Sequence, residues 1–148
     1  MNAPGDRGIL SKIEMETTKR FQDFIQAFTG WANTQSAIRS VALVGSYARG
    51  EPTGTSDVDL VMLVEDPNVY LNETGWIKRF GNFHRMQVED YGLVKSLRVW
   101  YHDGLEVEYG LTTRTWVEPP IDDGTRRVIQ GGLQILLDKE DLLSHLKH

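Results

Sequence analysis

The stretch GSYARGEPTGTSDVDLVML, residues 45–63, decides which fold this sequence is expected to adopt. It follows a short apolar run ending at Val44 and enters a second apolar run through two aspartates, Asp57 and Asp59. Because side chains alternate along a strand, both carboxylates are predicted to lie on one face while their apolar neighbours point to the other. Neighbouring like charges repel each other, so a cation or several donors are expected between them.

The residues before the aspartates supply a matching site for an anion. Gly45 lets the backbone come close to a ligand, and Ser46 offers a backbone N–H and a hydroxyl to a phosphate. Tyr47 is predicted to begin a short helix that Gly50 closes. Mg2+ is the metal that binds one or two carboxylates and keeps sites for phosphate oxygens. The stretch therefore predicts nucleotide phosphates held beside Mg2+.

Three short motifs in this stretch carry a resemblance to a known family: Gly45-Ser46, Ala48-Arg49-Gly50 and Ser56-Asp57-Val58-Asp59-Leu60. In this order they closely resemble the signature of the nucleotidyltransferase superfamily related to DNA polymerase beta, which includes small antibiotic nucleotidyltransferases and minimal nucleotidyltransferases. The match is specific over residues 41–64. It implies transfer of a nucleoside monophosphate from an NTP to a hydroxyl, with two Mg2+ ions held by the aspartates and pyrophosphate leaving.

The resemblance also implies a third catalytic carboxylate, which serves as a metal ligand and comes from a later strand. Glu108, in Val107-Glu108-Tyr109, fits this place, although aspartate is common there in the family. Glu106 lies on the same predicted strand face and is the rival. An exposed strand face is the alternative interpretation for both glutamates, and also for the two aspartates.

Two further roles stay open in the sequence. Arg49 is a candidate for nucleotide binding through a phosphate, but it can equally pair with a carboxylate such as Glu51. Glu89 and Asp90 precede Tyr91, and one of them is a candidate general base for the acceptor hydroxyl. A solvated loop is the favoured interpretation of that pair.

Composition restricts the class of protein further. The chain has 148 residues, of which 40% are hydrophobic and 25% charged, and these proportions are typical of a single soluble domain spanning residues 1–148. The net charge of -5 argues against nucleic acid as the default partner. Without cysteine there are no disulfides, thiolate metal sites or cysteine nucleophiles. No signal peptide or membrane span is recognisable, and a cytoplasmic protein is expected.

The hydrophobic pattern predicts an α+β fold, in which a mixed β-sheet has helices packed on one side, as the polymerase beta-like resemblance also implies. The predicted elements are a helix over residues 10–30 with a capping box at Ser11 and Glu14, strands over 40–44 and 57–64, a short helix over 72–80, a hairpin over 94–111 turning at Asp103-Gly104, a second hairpin at Gly131-Gly132 joining 127–130 to 133–137, and a last helix capped by Asp138.

Three functional hypotheses follow. The first is a Mg2+-dependent nucleotidyltransferase that uses an NTP and acts on a hydroxyl of a small molecule, such as an antibiotic. The second is a minimal nucleotidyltransferase that works as an antitoxin by modifying or masking a toxin-like protein partner. The third is a nucleotide-binding module without catalysis. Because only forty residues follow Glu108, the acceptor site is expected to be small or shared with a second subunit, as in a homodimer.

Overall fold

A computed structural model describes residues 12–53 and 56–147 of the chain. The helices are α1 (Lys12–Thr34), α2 (Gly45–Ala48), α3 (Pro67–Asn72) and α4 (Asp123–Gln130). The strands are β1 (Ile38–Val44), β2 (Val58–Val64), β3 (Phe83–Asp90), β4 (Lys95–Tyr101), β5 (Glu106–Thr112) and β6 (Leu133–Asp138). Short 3-10 helices cover Thr74–Phe80, Arg114–Val117 and Ser144–Lys147.

The strands form one mixed sheet in the order β3-β4-β5-β2-β1-β6. The central pair, β2 and β5, is parallel, and the other neighbouring strands run antiparallel. In the parallel pair Asp59 lies opposite Glu108. The α+β fold with a mixed sheet is therefore confirmed, and its central register brings two of the predicted site residues together.

One face of the sheet, here called the helix face, is closed by α1 and by the 3-10 helix Thr74–Phe80. Alternate residues of the strands, such as Leu60 and Tyr109, point to this face and are fully buried. Phe28 of α1 is also fully buried, and its ring packs against those of Trp31, Phe80 and Tyr109. Aromatic burial of this extent stabilises the fold through both apolar area and ring contacts.

The opposite face, here called the site face, is covered over part of its length. Val44, Val61 and Leu63 point to it and pack with Trp116 and Leu143 in a second buried cluster. Two residues of α4 complete this cluster: Val128 and Ile129. The site face is apolar where α4 covers it and carries charged side chains where the strands β2 and β5 begin.

The predicted hairpin at Gly131-Gly132 is wrong. Residues 127–130 form the end of helix α4, not a strand, and only the second half of the hairpin exists, as β6. The Asp122 side chain caps this helix by accepting hydrogen bonds from the N–H groups of Gly124 and Thr125. Four residues are too few to distinguish a strand from a helix by periodicity, whereas the cap was a readable signal.

Other predicted elements differ in extent. Helix α1 continues past Gly30 to Thr34, because a glycine inside a helix weakens it without ending it. The capping-box residue Ser11 lies outside the described residues. Strand β3 was not predicted, because most of its side chains are exposed and it lacks an apolar alternation. The hairpin over residues 94–111 is confirmed by the antiparallel pair β4 and β5.

Two short helical segments also differ in kind. The helix predicted over residues 72–80 is a 3-10 helix, Thr74–Phe80, and it follows a short α-helix, Pro67–Asn72. Near the end of the chain Asp138 accepts hydrogen bonds from the N–H groups of Leu143 and Ser144, where the segment Ser144–Lys147 forms a 3-10 helix. Among the described helices, none is long and apolar enough to cross a membrane.

Candidate active site

The Gly-Ser turn lies directly beside the aspartate strand. Strand β1 ends at Val44, and Gly45 continues with φ = 74° into the single turn of α2. This positive φ favours glycine, and the turn passes so near Asp59 that a Cβ atom at Gly45 would be in van der Waals contact with Asp59 Oδ2, at 3.5 Å. The turn closes at Gly50, whose φ is 71°, as the sequence predicted. Gly45, Ser46 and Asp59 are thus brought together at one end of the sheet.

The carboxylates of Asp59 and Glu108 share a partly closed environment. Glu108 is only 8% exposed, which excludes the interpretation of this residue as part of a solvated strand face. Burial, followed by the neighbouring charges of Glu108 and Asp57, raises the pKa of Asp59 to about 7, although the charge of Arg98 acts in the opposite direction. Negative charge at this end of the sheet is therefore incompletely compensated, and the site favours an added cation.

Arg98 of strand β4 lies at the centre of this acidic group. Its Nη1 contacts Asp57 Oδ2 at 3.0 Å and Glu106 Oε2 at 2.6 Å, and its Nη2 contacts Glu108 Oε2 at 2.7 Å. Its Nε donates to Glu89 Oε1 at 2.8 Å. One guanidinium thus binds four carboxylates from β3, β5 and the segment before β2. These five residues are here called the Arg98 cluster.

Sequence reasoning missed Arg98, although a signal for it was present. The Asp103-Gly104 turn joins β4 and β5, and Arg98 and Glu108 are each five residues from Asp103. Residues equidistant from a hairpin turn face each other, and the observed register does pair Arg98 with Glu108. The same reasoning could have placed a cation beside the third carboxylate.

Glu106 and Glu108 occupy different places in the site. Both contact Arg98, but only Glu108 lies opposite Asp59 in the parallel pair, whereas Glu106 lies opposite Trp100 of β4. The geometry therefore favours Glu108 as the third carboxylate beside the two aspartates. Glu106 sits one step further along the same strand face.

Arg49 makes a contact that neither sequence interpretation included. Its Nη1 donates to the carbonyl oxygen of Gly131 at 3.0 Å, and its side chain lies against Gly132, where a Cβ would approach Arg49 Cγ to 2.9 Å. This contact joins the α2 turn to the start of β6.

Glu89 and Asp90 belong to the end of strand β3 and not to a loop; Glu89 is half-buried, whereas Asp90 is exposed to solvent, as the favoured interpretation expected. Glu89 is a member of the Arg98 cluster. The Asp90 Oδ1 atom accepts a hydrogen bond from the N–H of Gly92 at 2.9 Å and so stabilises the turn between β3 and β4. Each of these two carboxylates therefore has a hydrogen-bond partner in the structure, Arg98 for Glu89 and the N–H of Gly92 for Asp90.

A cavity of about 360 Å³ adjoins Asp59 and Glu108 on the site face. Its walls are mostly apolar, and Trp116 and Val128 lie on the side formed by α4 and the segment before it. Gly110 of β5 also lines it. Pockets of this size, with apolar walls and a few polar groups, are typical of small-molecule sites.

The three predicted metal ligands fit a hard divalent cation by their chemistry. Asp57, Asp59 and Glu108 supply carboxylate oxygens from adjacent segments, and burial together with the neighbouring negative charges raises the pKa of Asp59. Within residues 12–53 and 56–147, however, no three acidic or histidine side chains are already arranged around one point as a metal site. The reason is visible in the Arg98 cluster, since the guanidinium binds Asp57 and Glu108.

Comparison with known proteins agrees with this fold. The family model of streptomycin adenylyltransferase matches residues 17–148. The solved structure of an aminoglycoside 6-adenyltransferase from Bacillus subtilis is similar with a TM-score of 0.53 and 20% identity, over 64% of this chain and 35% of that chain. The structure of the GLD-2/RNP-8 complex is similar with a TM-score of 0.44 and 18% identity, over 70% of this chain and 38% of that chain.

The sheet, the Gly-Ser turn and the acidic strand define a protein of the nucleotidyltransferase superfamily, as the motif predicted. More narrowly, the chain belongs to the streptomycin adenylyltransferase family, because the family model matches most of its length. The chain spans little more than a third of the length of each of the two solved proteins named above. No curated protein sequence shows significant similarity to it.

Proposed function

We propose that this protein transfers a nucleoside monophosphate from an NTP to a hydroxyl group of a small molecule. The acceptor hydroxyl gives up its proton to solvent as its oxygen forms a bond to the α-phosphorus, the bond from that phosphorus to the bridging oxygen breaks, and pyrophosphate leaves. The observation that carries this proposal is the pairing of Asp59 with Glu108 on the central parallel strands, beside the Gly45 turn.

ATP is the nucleotide that we propose first, because the matching family is described as an adenylyltransferase. Gly45 and Ser46 would hold its terminal phosphates through backbone N–H groups and the Ser46 hydroxyl. Arg49 would fix the orientation of this turn through its contact with Gly131, and so act on the nucleotide by positioning the turn. Binding and orientation of this kind account for much of the barrier reduction in phosphoryl transfer.

Asp57, Asp59 and Glu108 would hold Mg2+ in the working enzyme. Bound there, the metal would supply Lewis-acid stabilisation of the triphosphate charge and of the attacking oxygen. The carboxylates themselves contribute a dense negative charge in a partly buried place, which is the property that gives a divalent cation its affinity.

The acceptor is proposed to be a small hydroxylated molecule bound in the cavity beside Asp59 and Glu108. Its volume of about 360 Å³ suits a compact ring system, and its walls adjoin the carboxylates where transfer would occur. The family description favours antibiotic hydroxyls as the first acceptors to screen.

The test is the thermal stability of the protein with each of the four NTPs, with and without Mg2+. A ligand at about 100 times its Kd stabilises the native state by about 2.7 kcal/mol. We expect a Mg2+-dependent increase with ATP that is lost in the Asp57→Asn/Asp59→Asn variant. Asp23→Asn is the matched control, because it removes a carboxylate on the exposed side of α1. If no NTP stabilises the wild type, the proposed function is wrong.

A second measurement separates binding from catalysis. Acceptor candidates are incubated with ATP labelled at the α-phosphate, and the label is followed into the acceptor together with release of pyrophosphate. Transfer in the wild type and its loss in the Asp57→Asn/Asp59→Asn variant support the proposal. Binding of ATP without transfer to any hydroxylated acceptor would favour a nucleotide-binding module.

A further inference from the structure

The Arg98 cluster holds one cation among the carboxylates to which the proposed function assigns a metal. Arg98 is 20% exposed, and its three nitrogen atoms all contact carboxylate oxygens. Charge-assisted contacts of 2.6 to 3.0 Å are strong hydrogen bonds. Such a guanidinium acts as a counterion built into the sheet.

The position of this counterion is fixed by strand register. Arg98 lies opposite Glu108 in the β4–β5 pair and opposite Gln87 in the β3–β4 pair. Its side chain points to the site face, because its neighbours Leu97 and Val99 are fully buried on the helix face. The cation is therefore held between ordered strands, next to Asp57 and Glu108.

Metal and guanidinium cannot use the same carboxylate oxygens fully at the same time. A divalent cation requires the lone pairs of Asp57 and Glu108, and these oxygens accept hydrogen bonds from Arg98. The positive charge of Arg98 also repels a second cation at short range. Glu89 and Glu106, by contrast, can retain Arg98 when the other two carboxylates are released.

We propose that Arg98 is an internal cation that competes with the divalent metal for Asp57 and Glu108. It stabilises the acidic strands when no metal is bound, and it releases these two carboxylates when the metal enters. Arg98 therefore sets the affinity of the site for metal. This inference rests on the proposed function, because that function assigns the metal to these residues.

The first experiment measures the Kd of Mn2+, as a probe for Mg2+, from the electron paramagnetic resonance signal of the free ion. Arg98→Gln removes the cation and keeps a polar side chain. We expect this variant to bind Mn2+ about tenfold more tightly than the wild type, because a competing positive charge has been removed. Equal or weaker binding, with a cooperative thermal transition, overturns the inference and makes Arg98 a clamp that positions the ligands.

Arg85→Gln is the matched control for the loss of one positive charge. Arg85 lies one strand away, on β3, where it contacts the neutral side chain of Gln87 and the ring of Trp100. Its substitution should change the Kd of Mn2+ by less than about twofold, because solvent and salt screen the more distant charge. If the Kd of Mn2+ changes as much in Arg85→Gln as in Arg98→Gln, the effect comes from net charge alone and the inference is wrong.

A measurement on the wild type covers the case in which Arg98→Gln does not fold. The Nε–H resonance of Arg98, assigned by its absence in Arg98→Lys, is followed by NMR during titration with Mg2+. We expect a saturable shift of this resonance, while that of Arg39, which is paired with Glu140, stays constant. If calorimetry detects binding of Mg2+ but the Arg98 resonance does not shift, the inference is wrong.

The two proposals can fail separately. If Mg2+ and ATP together stabilise the wild type, but Arg98→Gln shows no tighter Mn2+ binding, the inference about Arg98 is wrong and the proposed function stands. If neither the wild type nor Arg98→Gln binds Mn2+ or Mg2+ with any NTP, the proposed function fails and the inference fails with it.

Discussion

The two faces of the sheet are built from the same strands but carry opposite chemistry. On the helix face Leu60 and Tyr109 are fully buried beneath aromatic rings of α1. On the site face their direct neighbours Asp59 and Glu108 place two carboxylates side by side, and burial raises the pKa of each despite the nearby guanidinium. Side-chain alternation produces this contrast within single strands.

The two faces of the sheet therefore contribute differently to stability and to function. Apolar and aromatic packing on the helix face stabilises the strands at the end of the sheet where the site face carries charge. The site face can then keep like charges close together, an arrangement that opposes folding and favours binding of a cation. Removing a carboxylate charge from the site face should therefore raise stability, whereas truncating a buried ring on the helix face should lower it.

The largest expected effect is on the helix face. Phe28→Ala removes a fully buried ring that packs against four other aromatic residues, and we expect the free energy of unfolding to fall by about 4 kcal/mol. Urea denaturation monitored by circular dichroism measures this change. Val88→Ala, at an exposed position of β3, should change stability by less than about 0.5 kcal/mol. A loss below about 2 kcal/mol in Phe28→Ala would contradict the role assigned to the helix face.

The second prediction concerns Asp59 on the site face. Asp59→Asn keeps the shape of the side chain and removes a charge next to Glu108 and Asp57, so nucleotidyl transfer should fall by at least about 100-fold, or about 2.7 kcal/mol. Pyrophosphate release with Mg2+ and ATP measures this loss. Without Mg2+, at pH 8, the free energy of unfolding of the same variant should be about 1 kcal/mol higher than that of the wild type, because repulsion among the carboxylates has decreased.

Asp23→Asn is the control for both measurements, since it removes an exposed carboxylate of α1. It should leave transfer unchanged and stability within about 0.5 kcal/mol. If Asp59→Asn destabilises the protein as a core substitution does, the division between the two faces is not valid.

A smaller effect is expected where the site face is closely packed. Gly110 lies in β5 between Leu60 of β2 and Val94, and an added Cβ would approach the Leu60 carbonyl oxygen to 2.8 Å. Gly110→Ala should therefore reduce the free energy of unfolding by about 2 kcal/mol. Gly75→Ala is the control, because a Cβ there meets no atom within 4 Å. If the two variants have equal chemical denaturation curves, the sheet accommodates the added Cβ at Gly110 with little loss of stability.

The smallest effect is a pH dependence at the far edge of the sheet. Burial favours a higher pKa for Asp138, but hydrogen bonds from Ser40, Ser144 and the Leu143 N–H outweigh it and hold the pKa below its ordinary value of 3.8. The stabilisation is fully present above pH 3.8 and is lost as the pH falls through the lower pKa of the folded state. The contribution should be about 0.5 kcal/mol, because water screens this partly exposed group.

Urea denaturation of the wild type and of Asp138→Asn between pH 2.5 and 7 tests this sign. The wild type should be the more stable protein at pH 7, and the difference should disappear at the acidic end. A difference that grows as the pH falls would mean that Asp138 opposes folding when ionised.

Several features were predictable because they depend on local sequence. The Asp103-Gly104 turn and the β-branched residues around it predicted the β4–β5 hairpin, and alternation placed Asp57 and Asp59 on one face. The Gly-Ser turn was predictable from Gly45, which has the positive φ that the close approach to Asp59 requires. By contrast, β3 and α4 were missed, since exposed side chains and a short apolar run give ambiguous periodicity.

Motif order and the alternation of side chains within single strands were enough to predict the α+β class, the nucleotidyltransferase superfamily and the placement of Asp57 and Asp59 on one strand face. Only the tertiary structure decided that Glu108, and not Glu106, lies opposite Asp59, because that choice depends on the register of two strands far apart in the chain. It also decided that Arg98 joins four carboxylates. The hairpin spacing alone could pair Arg98 with Glu108, but the contact of Arg98 with Asp57, 41 residues away, is set by packing of the whole sheet.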